Sequence, residues 1–263
     1  MTERPFLDTV TPLILTYNEA PNIARMLAKL GWAKRIVVID SGSTDETFEV
    51  VRATPNADIV HRPFDDFASQ WNFGLAQITT TWVLALDADY VLSDALVREL
   101  DSLKEQPGIA GYEVHFVYCI HGRQLRATLY PPRVVLFRRE CATHFNEGHT
   151  QRLALDGPLQ RLAAPIYHDD RKPLARWYST QQRYAREEAA HLLDSPRKRL
   201  RRTERLRRMG WPAPPLVFLY TLLMKRCILD GLPGWLYVFQ RTMAETMIAI
   251  EIADRRLRRP AQE

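Results

Sequence analysis

Residues 36–45 read IVVIDSGSTD, an apolar, β-branched run set directly against acidic, turn-forming sequence. Ile36 to Ile39 has the composition of a short strand buried on both faces. Asp40 ends that strand, and Ser41-Gly42-Ser43 carries turn chemistry. Ser43 with Glu46 three residues on is a capping-box pattern, which predicts a helix beginning there and presenting Phe48 and Val51. Strand, turn and helix follow one another without a break.

The same unit recurs on either side. Val10 to Thr16 (VTPLILT) reads as a buried strand. Ala20 to Leu30 then sets Ile23, Met26, Leu27 and Leu30 on one helical face, with Asn18 as its cap, Pro21 in its first turn and Gly31 at its end. Ala57 to Val60 is a third short strand, Phe67 to Ile78 a helix, Trp82 to Leu86 a fourth strand, and Ser93 caps a helix running to Leu103. Short buried strands joined by helices imply a Rossmann-like α/β fold around a mostly parallel sheet, whose ligands bind beyond the carboxyl ends of the strands.

The pattern changes after Gly108. Gly111 to Ile120, a turn at His121-Gly122, and Val134 to Arg138 read as hairpin strands; Leu174–Leu193 and Leu232–Arg259 read as helices. The expected division is an α/β catalytic domain over residues 8–155 and a mainly helical, basic extension over 156–263.

Composition narrows the class. The chain has 263 residues, 46% hydrophobic and 25% charged, which is ordinary for a globular protein and excludes a disordered or fibrous one. Three well-separated cysteines with no CxxC pair argue against a disulfide framework or a zinc site and fit a reducing compartment. No signal peptide is evident at the N-terminus. The apolar stretch Pro212–Met224, closed by Lys225-Arg226, is shorter than the ~20 residues of a membrane span. The expected location is therefore cytoplasmic.

The net charge of +5 hides a split: residues 1–150 carry 14 Lys/Arg against 19 Asp/Glu, and residues 151–263 carry 22 against 12. Arg197–Arg208 is the densest basic run, and Trp211 with the apolar stretch follows at once. That is the composition of an interfacial anchor. Arg199, Arg202 and Arg205 are the candidate contacts to an anionic membrane surface or an anionic acceptor, which would make the protein peripheral on the inner face of the cytoplasmic membrane.

Asp40 closes the second strand, and Asp87 and Asp89 close the fourth. In a parallel sheet these ends share one edge, so the three carboxylates converge. If Asp87-Ala88-Asp89 is extended, its two carboxylates point to one side. Such a pair can hold Mg²⁺ or Mn²⁺, hard cations that also bind substrate phosphates. Asp40 can accept hydrogen bonds from a ribose or base, or serve as a cap.

Thr16-Tyr17-Asn18-Glu19, Val38 to Asp45 (VIDSGSTD) and Leu86-Asp87-Ala88-Asp89 together resemble the ordered signature of family 2 glycosyltransferases over roughly residues 8–155. The resemblance implies a GT-A fold, a nucleoside-diphosphate sugar donor, a divalent metal and inversion at the anomeric carbon. It implies donor binding by Thr16, Tyr17, Glu19, Asp40 and Asp87, with Tyr17 and Glu19 along the base, Asp40 on base or ribose, Asp87 near the ribose, and Asp89 on the metal. Arg133 to Arg139 (RVVLFRR), Asn146-Glu147-Gly148-His149 and Leu229 to Gly234 (LDGLPG) are similar to the lipopolysaccharide-core β-1,4-glucosyltransferase-like subgroup. That subgroup implies Glu147 as catalytic base and a glycan or lipid-linked acceptor of the cell envelope.

Two positions depart from the subgroup: Tyr90 stands where an acid often follows the second aspartate, and Trp71 where a basic residue is common. His168 is a further candidate for the metal shell, and Asp169 and His149 are alternative bases. The competing readings are a nucleic-acid binder using the arginine run, a nucleotidyltransferase and a catalytically inactive GT-A-like protein. The first leaves the aspartates unexplained, and the second lacks a Gly-rich basic loop after the first strand, so no nucleic-acid partner is expected.

Overall fold

The structure, a computed structural model, describes residues 5–147 and 150–258, without the side chains of residues 147, 150 and 151. Strands β1 (Val10–Thr16), β2 (Ile36–Asp40), β3 (Ala57–His61) and β4 (Trp82–Asp87) run parallel in the spatial order β3-β2-β1-β4. Successive residues serve opposite faces, as the strand period of two requires. Ile14, Val38 and Leu84 enter one core with Ile23 and Met26, while Leu13, Val37 and Val83 enter the other with Trp71 and Phe137. Both faces are covered, which is why these strands read as continuous apolar runs.

Helix α1 (Ala20–Leu27) covers the first face. It stops a turn short of the expected end, although Leu30 is still buried. Asn18 does not cap it: Asn18 is left-handed (φ 54°), and its side-chain oxygen accepts from the Thr44 amide at 2.7 Å. Helix α2 (Thr47–Arg52) starts later than the capping-box pattern predicts, because the Ser43 hydroxyl is spent on Asp40. Helix α3 (Phe67–Ala76), capped by Asp66, covers the second face. A short strand β5 (Tyr90–Leu92) precedes α4 (Asp94–Ser102), whose cap is Ser93 as expected, accepting from the Leu96 amide at 3.0 Å.

Of the hairpin strands expected over Gly111–Ile120 and Val134–Arg138, the turn at His121-Gly122 is present, but Gly111–Ile120 is divided between two sheets. Strand β6 (Gly111–Val114) stays in the central sheet and β7 (Phe116–Ile120) leaves it; a two-residue strand, β8 (Arg123–Gln124), follows. Strand β9 (Arg133–Arg138) lies antiparallel between β4 and β6. Strands β10 (Ala142–Glu147) and β11 (Thr150–Leu155) pair antiparallel with each other. Strand β12 (Leu159–Arg161) adds to the edge beside β6, and β13 (Ile166–His168) lies between β5 and β7 in the small sheet.

The chain divides into two compact units, residues 1–122 with 130–171 and residues 123–129 with 172–263. The boundary expected after residue 155 falls inside the first unit, because β12 and β13 pair with that unit's strands. In the second unit α5 (Leu174–Asp194) packs Ala185, Ala189 and Leu192 against Ile248 and Ile252 of α8 (Gly231–Arg258). Between them lie α6 (Arg202–Met209), α7 (Ala213–Leu219), a π-helical turn (Tyr220–Met224) and a 3₁₀ turn (Cys227–Asp230). A Cβ on Gly234 would sit 1.9 Å from the Cys227 carbonyl oxygen, so α8 can approach that turn only with glycine there. Segment 123–129 docks on α8 through the Tyr237 hydroxyl, which accepts from the Leu129 amide at 2.8 Å, and on the 3₁₀ turn through Arg126 with Asp230 at 3.1 Å.

The basic run is not one helix ringed by free charge. Only α6 is helical, and several of its arginines are consumed internally. Arg205 donates to the carbonyls of Arg197 and Leu200, at 3.1 and 2.9 Å, and Arg208 donates to that of Ser195 at 2.9 Å. Arg207 bridges the buried carboxylates of Glu188 on α5 and Glu245 on α8. Arg199 and Arg202 remain exposed. Among the described residues no helix is long and apolar enough to cross a membrane.

Candidate active site

Strand order places β4 beside β1 on the side opposite β2, so the chain reverses its direction of travel between β1 and β4. Ligands bind at such a switch point, outside the carboxyl ends. Register puts Thr16 across from Asp40 and Leu15 across from Asp87, so the first, second and fourth strand ends lie side by side as the sequence predicts.

Asp40 is only 2% exposed, and its carboxylate is occupied by its own turn. One oxygen accepts from the hydroxyls of Thr16 (3.1 Å) and Ser43 (2.5 Å), the other from the amides of Gly42 and Ser43, both at 2.9 Å. Gly42 has φ 93°, a left-handed conformation that suits glycine. Thr16, likewise buried, also faces Asp40 and not solvent.

The neighbouring loop is stitched to this turn. The Asn18 amide donates to Ser43, that of Glu19 to the Thr47 hydroxyl and that of Ala20 to Asp45, at 2.8, 2.7 and 3.2 Å. Burial works against the charged form of Asp45, yet hydrogen bonds from Thr47 and Ala20 hold its carboxyl below the usual range. Tyr17, about half exposed, is displayed on top of this rigid pair of loops. Glu19 is partly exposed and accepts from the buried Asn22 side chain at 2.8 Å.

Asp87 ends β4, but Ala88 and Asp89 form a turn and not the extended segment expected. The Asp89 carbonyl holds that turn by accepting from the Asp169 amide at 3.1 Å. The two carboxylates still feel each other: burial, then the Asp89 charge, pushes the Asp87 carboxyl above its ordinary range. His168 reaches this pair from 79 residues away because β13 aligns it with Tyr90 of β5 and Tyr118 of β7. Its Nε2 lies 3.2 Å from an Asp89 oxygen. Burial lowers the affinity of His168 for a proton, and the Asp89 carboxylate more than offsets this, leaving its pKa raised.

Rings enclose the acidic pair. Tyr90, buried, packs against Phe116, Tyr130 and His168, and its hydroxyl bonds that of Tyr130. Burial and then the Asp87 charge drive both phenols upward, Tyr130 to about 12 and Tyr90 further. The Arg133 guanidinium stands 4.9 Å over the Tyr130 ring. Burial disfavours its charge, but Tyr130, Tyr90 and the two aspartates raise its pKa overall. Sequence reading missed Tyr130 and Tyr118, and gave Arg133 of the RVVLFRR motif no role in the site. Arg133 had a signal, as an arginine opening an apolar strand, whereas Tyr118 becomes visible only through strand register and Tyr130, in the loop before β9, only through its ring contacts.

Asp169 is excluded as a base by its partners. Its carboxylate is 5% exposed and accepts from Arg25 and Arg171, at 2.8 and 2.9 Å, and from the Gly122 amide at 2.9 Å. It is an anchor for the end of β13. The side chain of Glu147 and all of His149 lie outside the described residues; the backbone of Glu147 is the last position of β10. Trp71 and Asn72 fix that strand. Trp71 stacks on His144 (5.3 Å between centroids, 15° between planes), and Asn72 makes two hydrogen bonds to the His144 backbone, at 2.8 and 3.0 Å. Burial pulls the His144 imidazole down to about 4.

A mostly parallel α/β sheet with a carboxylate pair at its switch point fits a fold of GT-A type. The chain belongs to glycosyl transferase family 2, whose sequence model matches residues 13–151, more than half of it. An uncharacterized glycosyltransferase of Rickettsia prowazekii, RP128, is 25% identical over 142 residues, covering 52% of this chain and 46% of that protein. The lipopolysaccharide core biosynthesis glycosyltransferase LpsC of Rhizobium meliloti is 32% identical over 111 residues, covering 40% of this chain and 41% of that protein. Both matches span less than half of the relative's length. Among solved structures, the mannosyltransferase PcManGT of Pyrobaculum calidifontis, in complex with GDP-Man and Mn²⁺, aligns with 98% of this chain and 88% of its own. Its TM-score is 0.54 at 19% identity.

Proposed function

We propose that the protein is an inverting glycosyltransferase moving a sugar from a nucleoside-diphosphate donor to a glycan or lipid-linked acceptor of the cell envelope. The observation that carries this reading is the partly buried Asp87/Asp89 pair with His168 at the switch point of the sheet. A carboxylate and an imidazole nitrogen suit Mg²⁺ or Mn²⁺, and the raised carboxyl of the neighbouring Asp87 marks negative charge that a cation would offset. Asp89 and His168 would hold the metal. No cluster of three or more His, Cys, Asp or Glu able to hold a metal occurs among the described residues, so the remaining ligands would come from donor phosphates. When bound, the cation neutralises charge on the departing diphosphate.

Tyr17 and Glu19 lie along the nucleotide base and Asp87 near the ribose. Asp40 and Thr16 keep the donor-side turn in shape. Arg133, held over Tyr130, supplies a fixed positive charge beside the phosphates. Glu147 takes the proton of the acceptor hydroxyl as that oxygen bonds the anomeric carbon. The bond from carbon to diphosphate breaks on the opposite face, its electron pair leaving with the phosphate. The likeness to LpsC supports an envelope acceptor, and an envelope acceptor places the enzyme at a membrane surface.

A thermal-shift series with UDP-, GDP- and dTDP-sugars, with and without Mn²⁺, tests the reading. At least one donor should raise the melting temperature, and more so with Mn²⁺ present. Failure of every nucleotide sugar to shift it would overturn the proposal.

A further inference from the structure

The second unit shows an apolar face turned outward. Along α7 and the π-helical turn, Leu216, Leu219, Tyr220, Leu223 and Met224 follow one another at helical spacings of three and four, and all five are exposed, Met224 at 72%. The opposite side of the same segment is buried through Ala213, Thr221 and Leu222. An amphipathic segment whose apolar stripe faces solvent is unusual for a soluble surface and marks a contact site. Trp211 precedes it at 77% exposure, and the 3₁₀ turn prolongs it with Leu229.

We infer that this face lies in the interfacial layer of an anionic bilayer, with α7 parallel to the membrane plane. The inference rests on the membrane-surface location proposed above. It moves the contact away from the arginine run, where the fold engages Arg205, Arg207 and Arg208 internally.

Charge selects lipid over a second protein copy. The stripe ends at Lys225 and the exposed Arg226, and the exposed Arg199 and Arg202 add to the same unit, in a half-chain carrying 22 Lys/Arg against 12 Asp/Glu. No exposed carboxylate interrupts residues 205–229, which contain neither Asp nor Glu. Apolar insertion flanked by cations, with a tryptophan at the edge, is how a helix lies in the headgroup layer of an anionic membrane. Two copies meeting through this face would oppose like charges.

Cosedimentation with vesicles of phosphatidylcholine containing phosphatidylglycerol tests this, with pure phosphatidylcholine as the reference. The wild type should bind the anionic vesicles, and Leu219→Asp with Leu223→Asp should weaken binding at least tenfold without lowering the melting temperature, since both side chains are exposed. Lys225→Gln with Arg226→Gln should cost about fivefold per charge and flatten the salt dependence. Equal binding by the double Asp variant would overturn the inference. So would light scattering that shows a wild-type dimer which that variant makes monomeric while vesicle binding is unchanged. Nucleotide-sugar thermal shifts on the same samples keep the two readings apart: shifts without vesicle binding sink only the docking face, and their absence sinks the transferase reading itself.

Discussion

At the residue scale, the side chains the motifs single out divide into those that hold the loops and those at the carboxyl edge of the sheet. Asp40, Thr16 and Asp45 spend their oxygens on two loops, whereas Tyr17, Asp87 and Asp89 are left at the edge. Asp89→Asn should therefore abolish transfer and remove the metal dependence of nucleotide binding, because an amide is a poor ligand for a hard cation; titration calorimetry of donor with and without Mn²⁺ checks it. Glu147→Gln should slow transfer by ~10²–10⁴-fold with donor affinity almost unchanged, read from steady-state rates beside the same calorimetry. His144 offers a test in pH. Its imidazole titrates near 4 in the folded protein against an ordinary 6.5, so the unfolded chain binds its proton first as pH falls. Stability is full above 6.5 and declines between 6.5 and 4, by up to about 3 kcal/mol from this group. Urea midpoints at pH 7 and pH 4.5 should differ less in His144→Phe than in the wild type.

At the scale of elements, one arginine joins three helices. Arg207 on α6 contacts Glu188 on α5 and Glu245 on α8, and both carboxylates are buried. Arg207→Gln leaves two neighbouring buried charges without a cation and should cost about 3–5 kcal/mol, seen as a lower urea midpoint. Arg207→Lys should recover only part of that, because an ammonium lacks the planar fork that reaches both partners. The same helix scale accounts for the anchoring of β10, where Trp71 and Asn72 of α3 grip His144 and so fix the strand that ends at Glu147.

For the whole molecule, the order of units is interleaved: 123–129 belongs with the helices and 156–171 with the α/β unit. A fragment of residues 1–155 should therefore fail to melt cooperatively by circular dichroism. It lacks β12 and β13, it loses His168 and the Asp169 anchor, and it strands segment 123–129 without Tyr237 and Asp230. Cooperative melting of that fragment at the temperature of the intact chain would contradict the division.

The amino-acid sequence by itself determined the four parallel strands, their covering helices and the acidic strand ends. Those rest on local periodicity and on short βα connections, which the chain states residue by residue. It also held the family resemblance in three ordered motifs. Helix starts were less legible, since Ser43 and Asn18 have two partners each can satisfy, and only the packed loops decide that Asp40 and Thr44 win. Tertiary structure alone decided the rest. Strand register carries His168 to Asp89 across 79 residues and sets Tyr118 beside it, the Tyr130 loop packs against the same ring, and no local pattern encodes a pairing at that range. The fate of the arginines was equally hidden, because a charge run reads the same whether its partners are water or carboxylates buried on two distant helices.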